Sequence, residues 1–173
     1  MSLCLEAANS TQWPGNRLAS RLACGLLQPI LAQIVRRIAA RHPSLFARLG
    51  PYQTADFVID PIDLPFAMHL RPDPNRLLFR AVPRDATQRA DAVIRGRFML
   101  LLELIDSQED GDAAFFSRDL DVTGDTEAVV RLRNALDDVD TSIAEDTAAM
   151  FGAPGRAILA HLRRGYSADM QKD

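Results

Sequence analysis

The stretch ADFVIDPIDLPFAMHL, residues 55–70, decides the fold class, because its apolar side chains recur at every second position. Phe57 and Ile59 are separated by one residue, and beyond a proline-bounded turn Met68 and Leu70 repeat the pattern. Successive side chains of a β-strand point to opposite faces of its sheet. The stretch therefore predicts two strands, each with one apolar face.

Three further strands are predicted downstream. Residues 77–82 follow a turn rich in proline and aspartate, and residues 92–96 are short but compatible with a strand. Leu120 and Val122 alternate with polar residues until Gly124 ends the fifth strand. Strands that follow one another without crossover helices favour antiparallel pairing.

Helical periodicity surrounds this strand-rich middle. Apolar residues recur at three- and four-residue steps over 17–41, which predicts an amphipathic helix that Pro29 either kinks or divides. Residues 98–105 and 129–139 predict two more helices, and a final helical region over 141–164 is interrupted by glycines.

Two details support the helix that follows the fifth strand. Asp125 is placed to cap its amino end, and Glu127 lies in its first turn, where a negative charge is favourable. Near the carboxyl end of the chain, Pro154 lies between Gly152 and Gly155 and is suited to begin a new helix.

The order of elements predicts an α+β fold. We expect a mainly antiparallel sheet of about five strands with helices covering one face, and additional helices at both ends of the chain. Residues 1–16 have no sustained period and are predicted to be a flexible lead-in. Residues 17–173 are predicted to form a single domain, since 173 residues are in the range of one core.

Charge is distributed unevenly along the chain. Residues 1–50 carry six Arg and one Glu, whereas the remainder carries 14 basic and 22 acidic residues. An acidic body argues against a nucleic-acid groove, which needs clustered basic residues. The basic front could approach an anionic membrane or an acidic partner, but the simpler interpretation, which we favour, is that its arginines form the solvated side of a helix.

Few residues suggest chemistry. The three histidines, His42, His69 and His161, are far apart, and neither a nucleophile elbow nor a phosphate loop is present. A hydrolase or transferase would need His69, Asp119 and Ser117 to meet in space. The acidic residues between 106 and 125 do not have the spacing of a calcium loop. We therefore predict no catalytic residue, no metal and no cofactor.

Cellular location is predicted from cysteine usage and hydropathy. Cys4 and Cys24 match neither a zinc motif nor a disulfide framework, so a reducing cytoplasm is expected. The apolar run at 26–35 is interrupted by Gln28, Pro29 and Gln33, so no membrane-spanning helix is predicted.

Two segments of the chain resemble a known family. Residues 115–140, FFSRDLDVTGDTEAVVRLRNALDDVD, together with residues 55–70, resemble the sterol carrier protein type-2 family. The resemblance runs from about residue 26 to residue 140. Within the family it is closest to the UbiT branch, which comprises accessory factors of oxygen-independent ubiquinone biosynthesis.

The resemblance implies a non-catalytic, lipid-binding accessory factor. Such a protein would hold a prenylated quinone precursor or a phospholipid in a hydrophobic tunnel between sheet and helices. It would present the precursor to UbiU and UbiV, iron-sulfur proteins that hydroxylate the ubiquinone ring without oxygen. The residues expected to line the tunnel are Phe66, Met68, Leu70, Phe98, Leu101, Leu102, Ile105, Phe116, Leu120 and Val122.

The helix at 17–41 would be a membrane-contacting or lid element, with Arg36, Arg37 and Arg41 at anionic head groups. The expected location is the cytoplasm, with peripheral contact to the inner membrane.

Two alternatives stay open. One is a protein-interaction scaffold with a solid core, which would dock its partners electrostatically. The other is a general carrier of phospholipids or fatty acids.

Overall fold

The computed structural model describes residues 17–84, 90–105, 120–137 and 143–170. These residues form six α-helices, a short 3₁₀ helix at Gly50–Thr54 and five strands. The strands are β1 Phe57–Pro61, β2 Ala67–Arg71, β3 Leu78–Val82, β4 Ala92–Gly96 and β5 Asp121–Gly124. The helices are α1 Arg17–Arg41, α2 Ser44–Leu49, α3 Phe98–Ile105, α4 Thr126–Asp137, α5 Ile143–Met150 and α6 Gly152–Met170.

The strands form one mixed sheet in the order β3-β2-β1-β4-β5. The pairs β1–β2, β2–β3 and β4–β5 are antiparallel, whereas β1 and β4 are parallel. The predicted α+β fold with a mainly antiparallel, five-stranded sheet is confirmed. The central parallel pair was not predicted, since the β2–β3 hairpin separates its two strands in sequence.

The two faces of the sheet differ in their side chains. The register aligns Phe57 with Leu70 and Ala92, and Leu70 in turn with Phe79. We call this the inner face, since the residues on it pack against α2, α3 and α4. The opposite side, or outer face, carries the intervening residues of each strand, including His69.

Helix α1 packs against β3, at the edge of the sheet. Gln28 Nε2 donates a hydrogen bond of 2.8 Å to the carbonyl oxygen of Ala81 in that strand. The helix continues through Pro29, which lies on its exposed side. Proline deprives the carbonyl four residues earlier of its partner, and Gly25, which carries that carbonyl, is also exposed. The proline therefore does not divide the helix.

The junction from β5 to α4 confirms the predicted turn and cap. Gly124 has a φ of +87°, a conformation that favours glycine. A Cβ atom on Gly124 would clash with the Asp91 carbonyl oxygen, so no larger residue fits there. Asp125 Oδ1 then accepts a 3.0 Å hydrogen bond from the Ala128 amide and caps α4.

Helices α5 and α6 are the predicted additional helices at the carboxyl end. They pack against one another and, on one side, against α3. An ion pair of 3.1 Å joins Arg163 to Glu145 across the two helices. The break between them lies where glycines predicted it, although α6 begins at Gly152, two residues before Pro154. The predicted lead-in, residues 1–16, lies outside the described residues.

Candidate lipid site

Most of the predicted lining residues lie in one apolar cluster between the inner face and the helices, which we call the main cluster. The members that were predicted are Phe66, Met68, Leu70, Phe98, Leu101, Leu120 and Val122. Leu102 is half-buried and is not among the residues of this cluster. The side chain of Ile105 and the whole of Phe116 lie outside the described residues.

Other members of the main cluster were not predicted as lining. In α3, Leu104 belongs to the main cluster and Leu102 does not, a difference that the sequence does not reveal because this helix is apolar on almost every side. Phe79 on β3 lies opposite Leu70, on the same face of the sheet. The alternation of side chains along the predicted third strand could have identified it. Val129 and Leu132 on α4 were predicted to be apolar but were not assigned to a site.

Burial in the main cluster falls from the centre of the sheet towards its edges. Phe57 has no exposed surface and Ile94 is 5% exposed, so the centre is closed. Leu70 and Phe79 on the β2–β3 side are only half-buried, as is Val122 on β5. Helices therefore cover the middle of the inner face more completely than its edges. Partly accessible apolar side chains beneath helices are a feature expected of a lipid site.

A second apolar cluster joins α1 to the edge of the sheet. Its buried residues are Cys24, Leu31 and Ala81, and we call it the α1 cluster. Phe66 and Phe79 pack against both the α1 cluster and the main cluster. These two phenylalanines, and Ile38 of α1, which packs against the main cluster directly, connect α1 with the apolar interior.

The opposite side of α1 is exposed. Leu22, Leu26 and Ile30 are 62%, 76% and 37% exposed, and Arg36, Arg37 and Arg41 are exposed nearer the carboxyl end. Residues 21–41 are also long and apolar enough to cross a bilayer by length and composition alone, although the interruptions at Gln28, Pro29 and Gln33 predicted no membrane-spanning helix. Core helices of soluble proteins satisfy the same criterion, and one side of α1 packs on the sheet.

The outer face carries a small buried apolar cluster, Val58, Ala67 and Val82, and beside it a set of polar interactions. His69 Nε2 lies 2.6 Å from Asp56 Oδ1, and Arg71 Nε donates to the same oxygen at 2.9 Å. Arg71 also pairs with Asp56 Oδ2. Asp91 Oδ2 accepts from the Asp56 amide at 2.7 Å. These contacts connect β2 with the starts of β1 and β4.

The Asp56 carboxyl has a lowered pKa. Partial burial acts to raise the pKa, but the hydrogen bonds and charges of Arg71 and His69 outweigh it. Asp56 is therefore a carboxylate at neutral pH, and it is held by two partners on β2.

The geometry around His69 gives no support to a hydrolase. Its Nε2 faces Asp56, and its Nδ1 lies 3.5 Å from Arg80 Nη2. Ser117 and Asp119, the other residues of that alternative, lie outside the described residues. Within the described ranges, no group of three or more His, Cys, Asp or Glu side chains is arranged to hold a metal ion.

Tyr52 and several charged side chains border the main cluster at the amino end of α4. The Tyr52 ring packs against the cluster, and its pKa is raised by loss of hydration and by the nearby carboxylates of Asp125 and Glu127. Arg131 Nη2 lies 3.6 Å from Glu127 Oε1. The apolar interior thus meets water here through a tyrosine and a charged pair.

Comparisons with known proteins give one family and two similar structures. No curated protein matches the chain. A "UbiJ-SCP2 Ubiquinone synthesis protein" is similar at 18% identity and a TM-score of 0.44, over 73% of this chain and 94% of that one. "Sterol Carrier Protein 2 from Yarrowia Lipolytica (apo form)" is similar at 11% identity and a TM-score of 0.43, over 68% and 89%. The model of the SCP-2 sterol transfer family matches residues 33–137, from the second half of α1 to the end of α4. The chain therefore belongs to the SCP-2 sterol transfer family.

Proposed function

We propose that this protein binds the hydrocarbon part of a lipid between the inner face of its sheet and its helices, and that it presents the lipid to soluble enzymes without catalysing a reaction. The observation that carries the proposal is the half-buried state of apolar residues beneath the helical layer, namely Leu70, Phe79 and Val122. Membership of the SCP-2 sterol transfer family supports it.

The energetic reason for such a carrier is the cost of exposing a lipid tail to water. Each methylene removed from water contributes about 0.8 kcal/mol, so a long prenyl chain leaves the bilayer only if another apolar surface receives it. Met68 and Leu101, both buried in the main cluster, supply part of that surface. Phe66 and Phe98, which pack against the cluster, extend it.

The ligand we propose is a prenylated quinone precursor, delivered to the partners UbiU and UbiV. Support comes from the resemblance of residues 55–70 and 115–140 to the UbiT branch. The proposed location is the cytoplasm, with peripheral contact to the inner membrane through α1. Arg36, Arg37 and Arg41 are exposed and suited to lipid phosphates.

The test is to purify the full chain and identify what it carries. Native mass spectrometry and solvent extraction should recover a bound lipid, and a prenylated phenol should bind at a 1:1 ratio. A tighter complex with phosphatidylglycerol or a fatty acid would support the general-carrier alternative. If no lipid is recovered and none binds, the scaffold alternative takes its place. It predicts salt-sensitive complexes with partner proteins that are indifferent to lipid.

A second measurement separates a lipid site from a solid core. Met68→Trp adds bulk at a buried position of the main cluster. In a carrier this variant should lose lipid binding in addition to some stability. In a scaffold it should lose stability alone. Leu26→Trp, which adds a similar ring at an exposed position of α1, is the matched control for the size of the new side chain.

A further inference from the structure

The boundary between α1 and the β2–β3 hairpin is the place where the two apolar clusters meet. Phe66 and Phe79 contact both clusters, and each is half-buried. On the helix side, Leu27 and Ile34 pack against the α1 cluster and are also half-buried. A continuous apolar surface therefore runs from α1 to the interior, and its middle section is partly accessible.

α1 is joined to the hairpin by a buried centre, made of Cys24, Leu31 and Ala81, and by a less buried rim around it. The Gln28 hydrogen bond to the Ala81 carbonyl is one side-chain contact that fixes the helix to β3. In the rim, Leu27 and Ile34 are incompletely buried, and such regions open more readily than fully packed ones. By contrast, the centre of the inner face, at Phe57 and Ile94, is closed.

The exposed side of α1 indicates which way this boundary faces. Leu22 and Leu26 are exposed apolar residues of the helix, and Arg36 and Arg37 are exposed basic ones. A helix with this combination favours contact with an anionic lipid surface. In that orientation, the boundary between α1 and the hairpin lies next to the bilayer.

Resting on the proposed function, we infer that the lipid chain enters and leaves between α1 and the β2–β3 hairpin. Phe66 and Phe79 are the gating side chains, and the Gln28–Ala81 hydrogen bond holds the gate closed. The chain passes from the bilayer along Leu27 to the main cluster. The opposite edge of the sheet, at β5, is not the entrance.

A gate and a lining residue differ in their kinetic effects. Changing a gate alters the rates of entry and exit by the same factor and leaves the equilibrium constant unchanged, because it acts only on the path between the two states. Changing a residue that contacts the bound chain alters the equilibrium constant. The two rates and the dissociation constant must therefore all be measured.

The experiment uses vesicles of phosphatidylcholine and phosphatidylglycerol that contain a fluorescent prenylated phenol and a non-exchangeable quencher. Stopped-flow fluorescence gives the rate at which the full-length protein extracts the probe and the rate at which it returns the probe to empty vesicles. Gln28→Ala should speed both rates about fivefold, the factor that corresponds to the net ~1 kcal/mol of one hydrogen bond. Its dissociation constant should stay within twofold of the original.

The complementary variant is Phe79→Trp, which enlarges the proposed gate and should slow both rates; because Phe79 also borders the main cluster, its dissociation constant is free to change, and the slowing of both rates is the test. Val130→Trp adds bulk at an exposed position of α4 and should leave both rates unchanged. Circular dichroism melting identifies a variant that fails to fold. If Phe79→Trp unfolds the protein, Gln28→Ala still tests the inference, because it adds no bulk and its expected increase in both rates is measured independently.

Two contrary results have different meanings. If the original protein binds no probe, the proposed function fails. If it binds the probe but Gln28→Ala changes neither rate, the inference is overturned. A Val122→Trp variant on β5 that then slows both rates would indicate that the entrance lies at the other edge.

Discussion

The two faces of the sheet are built from the same strands, yet they hold the fold together in different ways. On the inner face, Phe57 and Ile94 pack beneath helices, and shape and burial determine their contribution. On the outer face, Asp56 holds His69 and Arg71 through charge-assisted hydrogen bonds. The comparison predicts that the stability contributed by the inner face depends on side-chain volume and little on pH or salt. The stability contributed by the outer face depends on the protonation state of Asp56.

The largest expected effect is at the centre of the inner face. Phe57→Ala removes a ring that has no exposed surface and should lower the free energy of unfolding by about 4 kcal/mol, since the transfer and cavity terms add. Urea denaturation followed by circular dichroism measures the change. Leu26→Ala, at an exposed apolar position, is the control and should stay within about 0.5 kcal/mol. Equal losses in the two variants would contradict the burial difference between them.

The next effect concerns the junction on which both faces depend. Gly124→Ala forces a side chain into left-handed backbone geometry and against the Asp91 carbonyl. The expected loss is about 3 kcal/mol, because backbone strain and a steric clash combine. In thermal melts, Gly25→Ala is the matched control. Nothing lies within 4 Å of its new methyl group, so it should stabilise α1 by up to ~1 kcal/mol. A neutral Gly124→Ala would show that β4 and β5 separate at little cost.

Much of this arrangement follows from the sequence. Alternation at 55–70 placed Phe57, Ile59, Met68 and Leu70 on one face, and the register of β1 with β2 agrees. The turn at Gly124 also followed from residue type alone. These features are local, since a strand or a turn specifies them within a few residues.

Other features depend on contacts that periodicity does not encode. The parallel pairing of β1 with β4 joins segments about thirty residues apart, and no local pattern specifies it. The same holds for Asp56 and its partners on β2, which are 13 and 15 residues away. In α3, apolar residues on nearly every side left Leu102 and Leu104 equivalent in the sequence.

The outer face provides a smaller effect that depends on pH. The pKa of Asp56 is lowered in the folded protein, so its contribution to stability is present above the unfolded value, about 3.9, and is lost as the pH falls through the lower folded value. Asp56→Asn should cost about 2 kcal/mol at pH 7. It should also remove part of the loss of stability that the original protein shows below about pH 4.

The pH prediction needs a control carboxylate that acts on the network only through its charge, as Asp73 does on Arg71. Asp73→Asn retains an oxygen that accepts from the Asn75 amide in the turn before β3, so it should preserve both stability and its acid dependence. Urea titrations at pH 3, 4, 5 and 7 on all three proteins give the comparison. An unchanged acid dependence in Asp56→Asn would show that the outer network contributes little.

The smallest effect on stability is expected on the exposed side of α1, where the same helix should matter most for membrane contact. Leu26→Glu replaces a side chain that is 76% exposed, so the free energy of unfolding should change by less than about 0.5 kcal/mol. Its binding to phosphatidylglycerol vesicles should weaken by about tenfold, since one buried leucine contributes at least ~1.5 kcal/mol. Vesicle co-sedimentation measures this loss.

Gln33→Glu adds the same charge at an exposed position of α1 without removing an apolar group. It should therefore weaken binding less, because charge repulsion acts alone. Equal losses in the two variants would mean that α1 meets the membrane through its arginines without inserting its leucines.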